Sequence, residues 1–477
     1  MLKKTHLKLI ANKNLLTYFL SFFASALGIL LNFFLARFLA AESYGQIQYL
    51  VALVTTISQI LIFGINSFLI REASNPKQIN IFSKCFTLFI IIVSFTLPII
   101  YYFLFNHATY TKANAYICVV TLAAAILMSM NTLISSFFQG SGNYKKSIIF
   151  SNLLPKLFLL SLTFVFYFFN RIAFFKEHYL LFYVIIYTFV TFPIAVKLIK
   201  KLDFSLEKRD LVSISLFFGV TITYSLCNNL AKVFEGGIYK NDVSLAIMSV
   251  SISIITLVRL VTSVLDNIVK PLFAKKSREN DSDGILELYR FETRINSYVA
   301  IPLYLFFILH SSRFLSIFGD SYLAYPAILI ILSCANAVGD LTGPNGTMLA
   351  MSGHEKWELI NGLVYFGTFI AFSFALSFDT VYGLCFSLLA SEVVVNIIKY
   401  IEVYYLYKRA PLNLKTLISM VAVCAVDFAF IFPLRYINNF YIWLIVGFGT
   451  GCVLVALNFI ISFYRKNDFK DLLSLHL

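Results

Sequence analysis

The chain is poor in charge. Asp, Glu, Lys and Arg make up 13% of its 477 residues, against 59% apolar and 17% aromatic, and the mean hydropathy is +0.82. A soluble domain carries about one quarter charged residues, so this composition cannot cover a water-facing surface of that size. A soluble enzyme, a disulfide scaffold and a disordered protein are excluded. Cysteine offers no framework either. Cys85, Cys118, Cys227, Cys334, Cys385, Cys424 and Cys452 all lie in apolar stretches with no C-x-x-C pair, and read as small apolar fillers. The six histidines show no H-E-x-x-H or other metal-ligand spacing. Walker A, G-x-S-x-G and dinucleotide motifs are absent, as is any defensible catalytic carboxylate pair. No metal site, no cofactor and no enzyme activity is therefore expected. The apolar runs are continuous, which excludes an outer-membrane barrel.

What the sequence has is length of apolar run. Fourteen stretches reach membrane length, at 15–37, 45–70, 83–105, 113–138, 147–169, 178–200, 211–233, 243–269, 295–318, 325–350, 357–378, 381–407, 415–434 and 440–463. The hydrocarbon core is about 30 Å thick, and a backbone inside it must satisfy its own hydrogen bonds, so each stretch is expected to be a helix. The first follows Lys3, Lys4, Lys8 and Lys13 and passes Ala24-Ser25-Ala26 without a polar break; it reads as a retained helix, not a signal peptide. The fold class is an all-α integral membrane protein with about fourteen transmembrane helices.

The net charge of +14 implies no nucleic-acid partner, because cytoplasmic loops of membrane proteins collect Lys and Arg. With the N-terminus inside, 27 of the 38 Lys and Arg fall on the cytoplasmic side and 7 on the other. Lys156, Lys232, Arg259 and Lys399 lie within helices. Both termini are thus expected in the cytoplasm. The longest loop, Lys270 to Arg294, is cytoplasmic and of mixed charge, and no soluble domain is expected.

Two pairs of segments hint at a repeat. SGNYK at 141–145 matches SGHEK at 352–356, and FNHATY at 105–110 matches FGDSYL at 318–323. The offsets imply a six-helix unit repeated in parallel. The expected domains are an N-terminal lobe at 1–200, a basic cytoplasmic linker at 201–210 and a C-terminal lobe at 211–407. Two further helices and a tail follow at 408–477. Two such lobes face to face would enclose a polar cavity.

Polar residues recur on single helix faces. The eighth stretch carries Ser249, Thr256, Arg259, Ser263, Asp266 and Lys270, and the seventh Thr221, Tyr224, Asn228, Lys232 and Glu235. The second carries Gln48, Thr55, Gln59 and Asn66, and the first Ser21, Ser25, Gly28 and Asn32. Steps of 3, 4 and 7 put each set on one side. Ordinary helix packing produces such stripes too. Arg259 sets the eighth apart, since a mid-helix Arg costs ~2.5–3.5 kcal/mol to insert and marks a functional site by default. Lys156 is a second mid-helix cation. Lys232, Lys270 and Arg37 sit near helix ends, where snorkelling explains them equally well. These five cations and Arg71, with Asn66 and Asn228, are the candidates for binding an anion.

Acids are fewer. Asp340, Glu392 and Asp266 are the candidates for coupling to a cation. Glu392, Asn396 and Lys399 share a face, so Glu392 and Lys399 are expected to neutralise each other. Asp340 lies in GDLTGPNG at 339–346, where Gly and Pro predict a broken helix with free carbonyls. Asp427 has no visible partner in its own helix and is given no role.

ARFLAAESYGQ at 36–46, FGINSFLIREAS at 63–74, FFQGSGNYKKS at 137–147 and FLSIFGDSYLAYPAILIILS at 314–333 resemble the polysaccharide flippase branch of the multidrug/oligosaccharidyl-lipid/polysaccharide (MOP) exporter superfamily, O-antigen flippases above all. The first motif departs from many relatives in carrying Phe38-Leu39-Ala40 where they have Leu-Gly. The resemblance assigns Arg37 and Arg71 to family motifs. It implies alternating-access movement of an undecaprenyl-pyrophosphate-linked oligosaccharide across a bacterial inner membrane, with membrane lipids, a polysaccharide polymerase and a chain-length regulator as partners. A proton or sodium gradient would stand in place of a cofactor. A multidrug exporter of cations would need an acidic cavity, and a polymerase or ligase a large outer loop. A lipid II or exopolysaccharide flippase shares all of these features.

Overall fold

The computed structural model describes residues 2–73, 80–107, 114–199, 203–376, 382–412 and 414–462, and every regular element among them is helical. Each of the fourteen apolar stretches is helical through most of its described residues, but not each as a single helix. Among the described residues, eleven helices are long and apolar enough to cross a membrane, or twelve when the bent pair Ala327–Thr342 and Asn345–Met351 counts as one span. The expected count of about fourteen stands above that number. Phe95, Phe189 and Phe448 are largely exposed on these helices, as lipid-facing side chains are.

The chain forms two compact units, one of residues Asn12–Val250 and one of Ser251–Leu477 with Met1–Ala11. The first holds most of α1 (Leu2–Phe38), then α2 (Ala41–Ile62), α3 (Ile65–Glu72), α4 (Ile81–Asn106) and α5 (Ala115–Gly140). After these come α6 (Tyr144–Ile148), α7 (Leu154–Phe168), α8 (Ile172–Glu177), α9 (Tyr179–Leu198) and α10 (Lys208–Phe234). α5 is its centre, packed on α2, α3, α4 and α9. Small side chains allow this close approach: Ala124 and Ala125 are buried, and Ser129 Oγ lies 3.0 Å from Ser58 Oγ. α10 packs on α2 and α3.

The stretch 45–70 is two helices, not the single one expected. Phe63 (φ 48°) and Gly64 (φ 77°) adopt left-handed backbone between α2 and α3. A Cβ on Gly64 would collide with the backbone of Ile214 and Phe218, so the break is where α10 comes closest. The fifth stretch contains a π turn at Ile149–Leu153 between α6 and α7. A second π turn, Glu235–Tyr239, ends α10.

The second unit takes most of α11 (Asp242–Arg278), then α12 (Ser282–Leu309), α13 (Ser311–Ser316), α14 (Ala327–Thr342) and α15 (Asn345–Met351). α16 (Glu355–Leu376), α17 (Gly383–Tyr407), α18 (Leu414–Ile431) and α19 (Phe440–Ser462) complete it. α17 packs on α14 and α16, and α12 on α14, α18 and α19. The segment Lys270–Arg294, expected as a loop, is the meeting of two helices. α11 runs to Arg278, Asn280 is left-handed, and Asp281 caps α12 by accepting from Gly284 N at 2.8 Å. Lys276 Nζ closes the turn on Asp281 at 2.5 Å; that hydrogen bond, with the Gly284 N–H, holds the Asp281 carboxyl below its ordinary range. Its charges mark where hydrocarbon ends, not where the helix ends.

α18 and α19 are pinned to α12 and α13 at three levels. Arg290 donates to the carbonyls of Ala410 (2.7 Å) and Pro411 (2.9 Å). Asn458 donates to both Asp427 and the Tyr298 carbonyl. Arg313 donates to the carbonyls of Arg435 and Ile437, each at 2.7 Å, and lies over the Trp443 ring.

Candidate functional site

The polar residues of the second unit gather where α14 breaks. α14 ends at Thr342, Gly343 turns at φ 94°, and α15 resumes after Pro344 with a bend of 45°. The break expected from GDLTGPNG is present. Its carbonyls are not all free, however: the Tyr289 hydroxyl of α12 donates to the Thr342 carbonyl and sits 2.8 Å from Asn345 Oδ1. A Cβ at Gly343 would strike Tyr289 and Thr293, so only glycine admits this cap.

Asp340 sits one turn before the break and accepts from the Tyr304 hydroxyl at 2.6 Å. Thr342 Oγ1 donates to Asn396 Oδ1 at 2.8 Å, and Asn396 Nδ2 donates to Glu392 Oε2 at 3.1 Å. Tyr365 of α16 also hydrogen-bonds Glu392. Gly339 leaves room for the approach of Glu392: a Cβ there would stand 3.6 Å from Oε2. Arg259 of α11 acts electrostatically on both Asp340 and Glu392, and Asp266 on Asp340. One set of side chains from α11, α12, α14, α16 and α17 therefore unites Arg259, Asp266, Asp340 and Glu392. Arg259 itself is exposed. Because a mid-span Arg against lipid is costly, that exposure points to water.

Lys399 acts electrostatically on Glu392, as expected, but its ion pair is with another carboxylate. Its Nζ pairs at 2.9 Å with Glu358 of α16, and Lys399 is 7% exposed. A partner on the neighbouring helix outcompetes one two turns away on the same helix, because a 1.5 Å rise per residue puts those two about 10 Å apart. Beside this pair, Asn361 Nδ2 donates to Glu402 Oε2 at 2.6 Å. Asp427, given no role above, is fully buried and held by Asn458. The residues missed by sequence reasoning are Tyr304, Glu358, Asn361 and Glu402. Glu402 had a signal: it extends the Glu392–Asn396–Lys399 face by three residues.

In the first unit, Lys156 follows the π turn and Pro155 on α7. Its Nζ donates to the Ala24 carbonyl of α1 at 3.3 Å and lies over Gly28. Lys156 thus meets the small-residue face of α1. Arg71 is exposed at the end of α3, paired with Glu72 at 2.8 Å and stacked on Phe68 and Phe217. Arg37 is exposed at the end of α1, and Lys232 and Asn66 are half-buried on α10 and α3. The side chains of Asn228 and Lys270 lie outside the described residues.

This architecture is an all-helical membrane bundle. Its fold matches a lipid II flippase MurJ in an inward closed conformation with a TM-score of 0.69 at 14% identity, over 94% of this chain and 99% of that one. A multidrug resistance MATE transporter of the MOP superfamily in an inward-facing conformation matches at 0.56 and 15% identity, over 81% and 94%. A MOP transporter from Pyrococcus furiosus Vc1 (DSM3638), described by the reverse polarity of its binding pocket, matches at 0.53 and 14%, over 83% and 95%. Among curated proteins none matches in sequence. Residues 34–326 match the polysaccharide biosynthesis protein family, and the chain belongs to that family. It is a multi-pass membrane protein of the MOP fold, as the motifs at 36–46 and 63–74 imply.

Proposed function

We propose that the protein is a flippase that moves an undecaprenyl-pyrophosphate-linked oligosaccharide, an O-antigen or related surface-polysaccharide unit, outward across a bacterial inner membrane by alternating access. Membership of a polysaccharide biosynthesis family and a flippase fold support the class of substrate. The observation that carries the mechanism is Arg259: exposed midway along α11, yet within electrostatic reach of two carboxylates. A pyrophosphate entering the aqueous space competes with Asp340 and Glu392 for that guanidinium, which binds phosphate in a bidentate fork. Carboxylates that lose their cation in a low dielectric take up another, a proton or a sodium ion. Substrate binding and cation uptake are thereby linked through one Arg. Within the first unit, Lys156, with Arg37, Arg71, Lys232 and Asn66, offers further polar groups suited to a sugar-phosphate headgroup. A polymerase and a chain-length regulator would act on the unit after release.

Complementation tests this reading. Expressed in a Gram-negative strain that lacks its own O-antigen flippase and makes a lipid-linked repeat unit, the protein should restore surface polysaccharide. Arg259→Ala should insert normally and restore none. Wild-type surface polysaccharide in that variant would overturn the role of Arg259. Drug resistance without surface polysaccharide would favour export of cationic drugs.

A further inference from the structure

The cluster on the lower half of α17 has no part in binding an anion. Glu358 and Asn361 of α16 and Lys399 and Glu402 of α17 form it, and Glu402 and Lys399 are 8% and 7% exposed. Two carboxylates share a single ammonium. Above them stand Glu392 and Asp340 with Arg259, so four carboxylates face two cations. Buried carboxylates without counter-ions do not all ionise. The set must therefore hold protons or an equivalent cation.

A second observation shows where. Asn361 is fully buried and its Oδ1 has no hydrogen-bond donor, and neither has Oε2 of Glu358. Two orphaned acceptors one helical turn apart on α16 call for a donor. A protonated carboxyl is a donor where a carboxylate is not.

Spacing connects this cluster to the acids above. Glu392, Asn396, Lys399 and Glu402 descend one face of α17 in steps of 4, 3 and 3 residues, about 5 Å apart and about 15 Å in all. That is about half of a hydrocarbon core. The distribution of Lys and Arg along the chain places the lower end at the cytoplasmic side.

We propose that Glu358, Asn361, Lys399 and Glu402 are a proton-binding station that carries protons between the cytoplasm and Asp340 and Glu392. This rests on the cation coupling proposed above and names the ion. Each transfer breaks one O–H or N–H bond and makes another, and the cluster returns to its starting charge after each proton. Facing Glu402 are Glu358 and Asn361 from α16 and Lys399 from its own helix. Farther up stand Tyr365 from α16, Asp340 from α14, Tyr304 from α12, and Arg259 and Asp266 from α11. α15 brings no titratable group, but its Gly346 makes room: a Cβ there would stand 2.7 Å from Glu358 Oε1 and 2.9 Å from Lys399 Nζ.

Two readouts on the full chain test the proposal. Glu402→Gln is nearly isosteric and keeps an oxygen for the Asn361 amide. In infrared spectra of the protein in lipid, the carbonyl band of protonated carboxyl groups should lose one component in Glu402→Gln. In the complemented strain, this variant should export about tenfold less, the ratio that one pH unit supplies per coupled proton. Nigericin, which collapses the pH gradient and leaves the potential, should slow wild-type export and leave the variant unchanged. An unaltered carbonyl band, or a Glu402→Gln variant whose export still responds to nigericin, would overturn the station. If Asp340→Asn uncouples export and Glu402→Gln does not, the coupling role of Asp340 stands and the station falls. If wild-type export ignores nigericin but follows the sodium gradient, the proton assignment falls and the flippase reading stands.

Discussion

At the scale of the residue, burial separates charges that the sequence presents alike. Lys156 and Lys399 both stand in apolar helices, but Lys399 has a carboxylate at 2.9 Å and Lys156 a backbone carbonyl at 3.3 Å. A backbone carbonyl carries no net charge to set against a lysine, whereas a carboxylate does. Asp427 is the opposite case, a fully buried acid tied to Asn458, with no charged partner among its hydrogen bonds. Asn458→Leu should leave that carboxyl and the Tyr298 carbonyl without a donor. The cost is about 1–3 kcal/mol for each buried group left unpaired, read as a lower thermal midpoint of the purified protein in detergent. Asp427→Asn in the native background should cost less, because an amide oxygen still accepts from Asn458. An equal loss in both variants would show that the carboxylate itself, and not its hydrogen bond, holds α18 to α19.

At the scale of the element, the sequence made the helices legible and left their interruptions half-legible. Apolar length alone located all fourteen stretches, because the bilayer leaves a backbone no alternative to a helix. The break at Gly343 was readable, since Gly and Pro stand together there. The break at Gly64 was not. A lone glycine in an apolar run looks like a packing residue, and its cause lies about 150 residues away in the α10 backbone at Ile214 and Phe218. The candidate site was legible in part for the same reason. Arg259, Asp340 and Glu392 announce themselves as charges in apolar runs. Tyr304, Glu358 and Asn361 do not, because their partners are on other helices and no spacing within one helix reveals them. Gly64→Ala tests the element directly. It adds a Cβ to a residue at φ 77° that abuts a neighbouring backbone. A left-handed non-glycine residue costs roughly 1–2 kcal/mol before any clash is counted. The variant should show a lowered thermal midpoint and easier proteolysis between α2 and α3. Gly353→Ala shares a positive φ but has open space around its Cβ, and should lose only the backbone part.

At the scale of the whole molecule, the membrane field acts on whatever charge the transport cycle carries. An interior-negative potential drives an anion outward with ~2.3 kcal/mol per charge per 100 mV, so a pyrophosphate of two charges gains about 4.6 kcal/mol. A proton moving inward in the same cycle gains as well, and the two contributions add. Export should therefore depend on potential even where the pH gradient is absent. In the complemented strain, potassium with valinomycin collapses the potential and leaves the pH gradient, whereas nigericin does the reverse. The linkage through Arg259 predicts that both treatments slow the appearance of surface polysaccharide, valinomycin more strongly, because the potential acts on substrate and proton together. Glu402→Gln should keep its response to valinomycin and lose its response to nigericin, since the substrate's charge still crosses the field when the proton does not. If both treatments left wild-type export unchanged, no net charge would cross in the cycle, and a neutral exchange of substrate charge against co-moving cations would replace the linkage drawn from Arg259, Asp340 and Glu392.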